Sequence, residues 1–191
     1  VASYSVSAAT KTIFKYSDSV WLGSNDELDI SRSPIAEDRH ERIYVTGMGG
    51  ASGFPRMTTA TTVGNGTYYR LGLPKPEDIT SVTLSPATSL NADTEVAQSV
   101  SYIFTYVSYY GEEGVNCDAE AAQVVDKHTD QTVTLDFPPN PSGSYNFLYK
   151  RVYRTDSGGT YRFVQDVPIA TDTFADTVAD IALGEEIPTV T

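Results

Sequence analysis

Short stretches of alternating apolar and polar residues recur along this chain and constrain its fold more than any other feature. In residues 101–107 (SYIFTYV), Tyr102, Phe104 and Tyr106 fall on one side of an extended strand. Six further stretches follow the same pattern between turns rich in Gly, Pro and Asp: 81–84, 120–126, 131–137, 146–155, 161–167 and 173–178. Strands of this number and spacing are typical of an all-β antiparallel β-sandwich. We expect Tyr102, Phe104 and Tyr106 to face its core.

The N-terminal part predicts a smaller β-rich region with an extended arm. We expect its strands at residues 11–17, 20–23, 42–47, 55–60 and 67–73. Asn65 and Gly66 form a strong signal for a two-residue hairpin. Residues 25–42 are polar and contain Pro34, which favours a long loop or arm. Two prolines and a charge cluster in residues 73–78 suggest a boundary, giving domains 1–75 and 76–191.

Helix is predicted only weakly. Residues 118–127 contain good helix formers behind Asp118, which could cap a helix. The segment also follows a turn and leads into a turn and a strand, so we favour a strand over a helix. Residues 176–187 are compatible with a short helical turn.

The charge of the chain excludes several classes of partner. Its 191 residues carry a formal net charge of −12. Binding to phosphates needs clustered Lys and Arg, so we expect no nucleic acid partner and no anionic membrane surface. The sequence has no apolar run of about 18 residues that could span a membrane. An acidic surface favours solubility or contact with a basic neighbour in an assembly.

The chemically active residue types do not combine into a catalytic or metal-binding pattern. Residues 36–42 (AEDRHER) place Glu37, Asp38, His40 and Glu41 together, which is more typical of a solvated charge mixture than of a metal site. The adjacent Glu112 and Glu113 point to opposite faces of a strand, and Asp172, Asp176 and Asp180 match no ligand set.

Cys117 is the single cysteine, so it forms no intrachain disulfide, and we expect a buried or half-buried thiol. We predict no enzyme activity, no cofactor and no metal.

Candidate interface residues are aromatic or basic. Tyr109 and Tyr110 break the alternation just before a turn, and Trp21 is the only tryptophan. Exposed aromatic rings can stack on a sugar or form an interface hot spot. Arg32, Arg39 and Arg42 cluster in the predicted arm, where we expect them to meet acidic surface on a neighbouring subunit.

The second half of the chain resembles a segment that recurs in tail-associated and other virion structural proteins of bacteriophages. The resemblance rests on the Tyr-rich strand that ends in Gly-Glu-Glu-Gly (residues 111–114), the Arg-x-Tyr-Arg-Thr strand (151–155), the aromatic strand (161–167) and the Leu-Gly-Glu ending (183–185). Upstream, SRSPIAEDRHERIYVTG and GFPRMT look like the segment that precedes this module. The resemblance covers roughly residues 25–188. It implies a virion component that assembles with other virion proteins and with copies of itself in a symmetric homo-oligomer.

Parts of the same stretch resemble fibronectin type III domains, which belong to the immunoglobulin-like sandwiches. Residues 102–114 look like the penultimate strand and the turn after it, and residues 133–167 look like the second, third and fourth strands. The segment that resembles the penultimate strand therefore precedes, in this chain, the segments that resemble the second, third and fourth strands. This order implies either parts of two consecutive sandwiches or one sandwich in permuted order, and we favour one sandwich. The alternative function is a module that binds carbohydrate or a host receptor, with Trp21, Tyr109 or Tyr110 stacking on the glycan.

Overall fold

Antiparallel β-strands make up nearly all the regular structure of the computed structural model, which describes residues 7–50, 53–88, 94–120 and 123–188. The strands are β1 (Thr12–Lys15), β2 (Trp21–Ser24), β3 (Asp29–Arg32), β4 (Ile43–Thr46), β5 (Arg56–Thr58), β6 (Tyr69–Arg70), β7 (Ser81–Leu84), β8 (Gln98–Ser108), β9 (Glu113–Asn116), β10 (Val124–Lys127), β11 (Val133–Asp136), β12 (Phe147–Thr155), β13 (Tyr161–Pro168) and β14 (Thr173–Asp176). Each pairing between them is antiparallel. The prediction of an all-β chain with antiparallel sheets is confirmed.

The chain divides into two compact units. The first comprises Val1–Leu71 and Gly143–Asn146, and the second comprises Gly72–Ser142 and Phe147–Thr191. The domain limits proposed from the sequence, 1–75 and 76–191, stay a prediction.

The first unit contains a hairpin and a small sheet. Strands β1 and β2 pair with each other, and the sheet has the order β3-β4-β5-β6. Tyr16, Ile43, Val45 and Val63 form the buried core of this unit. The prediction of a long loop or arm over residues 25–42 is wrong where β3 pairs with β4. Ile30 is the one aliphatic residue in β3, so the strand depends on its pairing with β4 rather than on alternation.

The turn chemistry near Gly66 also differs from the prediction. Val63–Asn65 forms a short 3-10 helix, and Gly66 ends it in the left-handed region with a φ of 73°. The Gly66 N–H donates to the carbonyl of Val63. The two-residue hairpin at Asn65 and Gly66 is therefore wrong, although β5 and β6 do pair. Glycine supplies the positive φ here as a helix cap rather than as a hairpin turn.

The second unit has two sheets that share one core. One sheet has the order β14-β11-β7, and the other has the order β10-β8-β12-β13 with β9 also pairing with β8. Val133 and Leu135 of β11, Phe174 of β14 and Phe104 of β8 lie in the same buried cluster. The Phe104 ring contacts that of Phe137 edge to face, with centroids 5.1 Å apart. This arrangement is consistent with a β-sandwich.

Strand β8 is covered on both faces. Tyr102, Phe104 and Tyr106 are each 0% exposed, which confirms the expected core face. Ile103 and Val107, on the opposite face, are also buried. The sequence pattern predicted one buried face for β8, whereas both of its faces are buried.

The C-terminal segment extends the larger sheet. The backbone of Phe163 in β13 exchanges hydrogen bonds with residues 184 and 185, each of 2.8 Å. Leu183 and Ile187 pack against the core of this unit. Before this segment, Asp180–Ala182 forms a 3-10 turn, as the sequence suggested.

Two further predictions concern the edge next to β8. Residues 124–127 form strand β10, as favoured over a helix, while residues 121 and 122 lie outside the described residues. Residues 111–114, interpreted as a turn, pass into strand β9 at Glu113.

Candidate functional site

An ionic network links β9, β12 and β13 on the face of the sheet opposite the sandwich interior. Arg151 forms a two-pronged contact with Asp166, its cross-strand partner, through N–O distances of 2.7 and 2.8 Å. Its Nη1 also lies 2.9 Å from Oε2 of Glu113. The hydrogen bonds to Asp166, with the charge of Glu113, raise the pKa of Arg151. Paired in this way, Arg151 is a fixed cation that connects three strands.

Glu113 is the acceptor that completes this network. The hydroxyl of Tyr153 donates to it over 2.6 Å, and the hydroxyl of Thr105 over 2.7 Å. Burial and the hydrogen bond to Glu113 raise the pKa of Tyr153. Because Glu113 accepts from three donors, it is not poised to act as a general base.

A cavity of about 300 Å³ lies beside this network. It is lined by Glu113, Arg151, Tyr153, Phe163, Glu185, Glu186 and Pro188. Among its charged lining residues, Arg151 and Glu113 already bind each other, while Glu185 and Glu186 add two further carboxylates.

A second network crosses the interior between the two sheets. Arg154 on β12 donates to the carboxylate of Asp176 on β14, and both side chains are 0% exposed. The Tyr102 hydroxyl donates to Asp176 over 2.7 Å, and Arg154 Nη2 lies 2.6 Å from Oδ1 of Asp180. Burial and the negative charge of Asp176 raise the pKa of Tyr102. A buried charge is tolerated only when it is paired and hydrogen-bonded, as here.

Lys150 is a buried cation without a carboxylate partner among the described residues. Its Nζ donates to the carbonyls of Ile169 and Thr171 over 2.8 and 2.7 Å, and it lies 5.1 Å from the ring centroid of Phe137. Burial lowers the pKa of Lys150. The two backbone carbonyls and the negative charge of Asp172 stabilise the ammonium group.

The sequence analysis missed both networks. The alternation in residues 146–155 puts Lys150, Val152 and Arg154 on one face of a strand, and cations that alternate with an aliphatic residue were the available signal. It considered Asp176 only as one of three aspartates at intervals of four. In the structure Asp176 and Asp180 instead bind one guanidinium group, from different positions.

Trp21 lines a cavity of about 350 Å³ in the first unit. The lining residues are Thr12, Trp21, Leu22, Gly23, Ser24, Leu28, Ile30, Met48, Val63, Gly64, Gly66 and Tyr68. An indole, a phenol and hydroxyl groups around one concave surface are the residue types that bind sugars.

The three arginines proposed as interface residues have different surroundings. Arg32 donates to the carbonyls of Lys15 and Tyr16. Arg42 forms an ion pair of 2.7 Å with Asp38, in which the side chains are 10% and 6% exposed. This contact holds the pKa of Asp38 well below its usual range. The interface role of Arg32, Arg39 and Arg42 stays a prediction, and all three already serve contacts within the chain.

The predicted charge mixture around His40 is organised by the backbone and by Arg39. The Nε of Arg39 lies 3.1 Å from Nε2 of His40, while Asp38 accepts from the His40 N–H over 3.1 Å. Glu37 and Glu41 have positive φ angles of 55° and 47°. Residues 37–41 therefore form tight turns in the first unit.

The tyrosine pair next to the acidic turn is partly exposed. Tyr109 is 64% exposed, and its ring lies edge to face with that of Tyr110 at 6.0 Å between centroids. An exposed ring in this position can contact a partner.

Cys117 is 0% exposed, as predicted. Burial raises the pKa of its thiol to about 11.

One group of carboxylates approaches the spacing of a metal site. Oxygens of Asp78, Asp118 and Glu120 lie within 4.8 Å of one another, and all three residues are exposed. The Nζ of Lys75 lies 2.6 Å from Asp118. An exposed cluster that already holds an ammonium group is typical of solvated surface charge, so we assign it no metal.

No protein family model and no curated protein matches the chain. In the described ranges, no helix is long and apolar enough to cross a membrane.

Proposed function

We propose that this chain is a structural component of a bacteriophage virion, in the tail, neck or capsid surface, and that its sandwich is fibronectin type III-like. It acts by protein–protein assembly with copies of itself and with other virion proteins. The observation that carries the proposal is the position of the residues on which the phage resemblance depends.

Those residues contact one another inside one unit. Glu113 of the acidic turn binds Arg151 of the Arg-x-Tyr-Arg-Thr strand. Gly184 of the Leu-Gly-Glu ending donates through its N–H to the carbonyl of Phe163 in the aromatic strand. A side chain on Gly184 would meet the Phe163 ring at 2.9 Å. Residues that hold a module together recur wherever the module serves as a building block, whatever it is attached to.

Strand order supports the fibronectin-like interpretation. Strand β8, likened to the penultimate strand, pairs with β12, likened to the third strand. These two strands are neighbours in immunoglobulin-type sandwiches. Because β8 precedes β12 in the chain, this pairing supports one sandwich in permuted order, as favoured from the sequence.

Exposed edge strands offer a route to assembly. Val115 of β9 and Val124 of β10 are 41% and 47% exposed, and both strands pair with β8. An edge strand with exposed aliphatic residues can accept a strand from a neighbouring subunit. The net charge of −12 favours a neighbour with a basic surface.

The test is a phage in which the coding sequence for this chain is deleted and then supplied from a plasmid. We expect electron microscopy to show particles that lack one component, and the plasmid to restore them. Complete, infectious particles of unchanged protein composition in the deletion strain would refute the proposal.

A module that binds a host glycan is the second candidate, and the cavity beside Trp21 favours it. If this function holds, Trp21→Ala abolishes binding on a glycan array, while Tyr109→Ala leaves it intact. The reverse result would move the glycan site to the exposed tyrosine pair. An array without signal for the wild-type protein would remove the candidate.

A further inference from the structure

A cavity of about 450 Å³ lies where the start of β8, the end of β10 and the segment after β14 meet. It belongs entirely to the second unit. Its lining residues are mostly polar: Glu95, Val96, Gln98, Lys127, His128, Thr129, Asp130, Gln131, Thr132, Thr177, Val178, Ala179 and Asp180. Neither ionic network described above explains the lysine and the amides of this cavity.

The carboxylates of the cavity already have donors from the chain. Glu95 accepts from the backbone N–H and the hydroxyl of Thr129. Asp130 accepts from the N–H of Thr88 over 2.6 Å. Asp180 accepts from Arg154, as described above. These contacts fix the walls of the cavity and occupy its acceptors.

The turn between β10 and β11 is fixed as well. The His128 N–H donates to Oε1 of Gln131 over 2.9 Å, and Nε2 of Gln131 donates to the carbonyl of Ser85 over 2.6 Å. Because these hydrogen bonds hold the lining residues in place, the protein loses little conformational entropy when a ligand binds in the cavity.

Three polar groups of the same cavity lack partners. Among the residues that the structure describes, no carboxylate oxygen lies within 4.0 Å of Lys127 Nζ. Nε2 of Gln98 and Nδ1 of His128 are buried without a hydrogen-bond partner in the described part of the chain. Gln98 is the cross-strand partner of Lys127. Burial and the positive charge of Arg154 lower the pKa of Lys127, while the negative charges of Asp176 and Asp180 act in the opposite direction.

We propose that this cavity binds a compact ligand that carries a carboxylate, whose oxygens accept from the ammonium of Lys127 and the amide of Gln98, next to Nδ1 of His128. An ammonium and an amide N–H are donors only, whereas an ionised carboxylate is an acceptor only. A hydrogen bond in which the donor or the acceptor is ionised is stronger than one between neutral groups. The cavity has the volume of a small-molecule site.

The carboxylates of Glu95, Asp130 and Asp180 oppose an anion inside the cavity, and the rest of the acidic surface opposes it at long range. The net charge of −12 is screened beyond about 8 Å at physiological ionic strength. Affinity therefore depends on the direct contacts. The carboxylate belongs either to a free sugar acid or to an acidic side chain of a neighbouring protein, and the same contacts serve both.

The test is an NMR titration of the full chain at about 0.15 M salt with sodium glucuronate, with glucose as the neutral control. N-acetyl-glutamate amide, in a parallel titration, stands for a protein side chain. We expect amide shifts at Gln98 and Lys127 with at least one of the two acids and none with glucose. The acid that binds more tightly identifies the source of the carboxylate. Failure of both acids to bind, or equal binding of glucose, would overturn the proposal.

Two variants locate the binding. Lys127→Met removes the charge and should weaken binding about tenfold or more. Gln98→Glu places a carboxylate opposite Lys127, so it should abolish binding without lowering the melting temperature. Lys11→Met, which changes an exposed lysine of the first unit, is the matched control. Wild-type affinity in folded Lys127→Met and Gln98→Glu would also overturn the proposal.

Discussion

Arg154 and Asp176 form an ion pair across the interior of the sandwich, between strands of different sheets, and neither side chain is exposed. The two residues are 22 positions apart. Tyr102 joins the pair from β8, so one carboxylate connects three strands. The interior therefore depends on a charged contact as well as on apolar packing.

Replacing Asp176 with Asn tests this contact. The change keeps the size of the side chain but leaves the charge of Arg154 in the interior with Asp180 alone. Breaking a buried pair costs about 3–5 kcal/mol, so we expect a loss of that order in the free energy of unfolding, measured with urea.

Asp18→Asn is the control for this experiment. Asp18 pairs with Lys15 at the surface, and its side chain is 100% exposed. Its replacement should leave stability nearly unchanged. Equal urea curves for the two variants would show that the interior pair is not important.

Replacing Glu113 with Gln tests the network on the outer face. Arg151 keeps Asp166, but Tyr153 and Thr105 lose a charged acceptor. Hydrogen bonds to charged groups contribute about 1.5–3 kcal/mol each, so we expect a destabilisation of roughly that size in urea denaturation. Glu112 is the exposed neighbour of Glu113, and Glu112→Gln should lower the free energy of unfolding much less. A larger effect at Glu112 than at Glu113 would contradict the assignment of the network to Glu113.

The raised pKa of the Cys117 thiol predicts that the folded chain loses stability at alkaline pH. Its pKa is about 11 in the folded chain, against an ordinary value of 9.0 for a cysteine thiol. Because the folded value is raised, the contribution is complete below pH 9 and is lost as the pH rises toward 11. Such a difference corresponds to about 2.7 kcal/mol.

The measurement is the free energy of unfolding as a function of pH for the wild type and Cys117→Ala. We expect the wild-type curve to fall more steeply than the variant curve between pH 9 and 11. Parallel curves would mean that the thiol ionises as readily in the folded chain as in the unfolded one. In the folded wild type, iodoacetamide should react slowly with Cys117, since the residue is buried.

Gly47 is a position where a side chain is excluded. Its φ is 85°, and a Cβ atom would lie 2.2 Å from the carbonyl oxygen of Glu27. The left-handed conformation alone costs a non-glycine residue about 1–2 kcal/mol, so Gly47→Ala should destabilise the first unit by more than this.

Fluorescence of Trp21, the single tryptophan, reports on that unit during thermal unfolding. Gly64→Ala is the control, since no atom lies within 4 Å of the added Cβ. A Gly47→Ala protein that melts like the Gly64→Ala protein would contradict the close approach to Glu27.

The sequence predicted the strands that carry regular alternation. It identified β8, β11, β12 and β13 because each alternates over several residues between turns. It missed β3, which lies in a polar segment, and β9, whose Glu113 follows a glycine and another glutamate. Both strands are fixed by pairing with a neighbour, and pairing is not visible in local composition.

The two ionic networks could not be predicted from the sequence, because they too depend on which strands pair or pack together. Glu113 and Arg151 are 38 positions apart, so their contact depends on the order of strands in the sheet. A strand pattern shows which residues share a face, but it does not show which face is buried or which strand lies opposite. The cavity at Lys127 likewise depends on three separate segments.

The central claim, a structural role in the virion, is tested most directly by quantitative mass spectrometry of purified particles. The tryptic peptide IYVTGMGGASGFPR, residues 43–56, is suited to this measurement. We expect it at a fixed copy number relative to the major capsid protein, low for a tail ring or fibre and high for a component of the capsid surface. Its absence from particles, with the chain present in infected cells, would contradict the structural role.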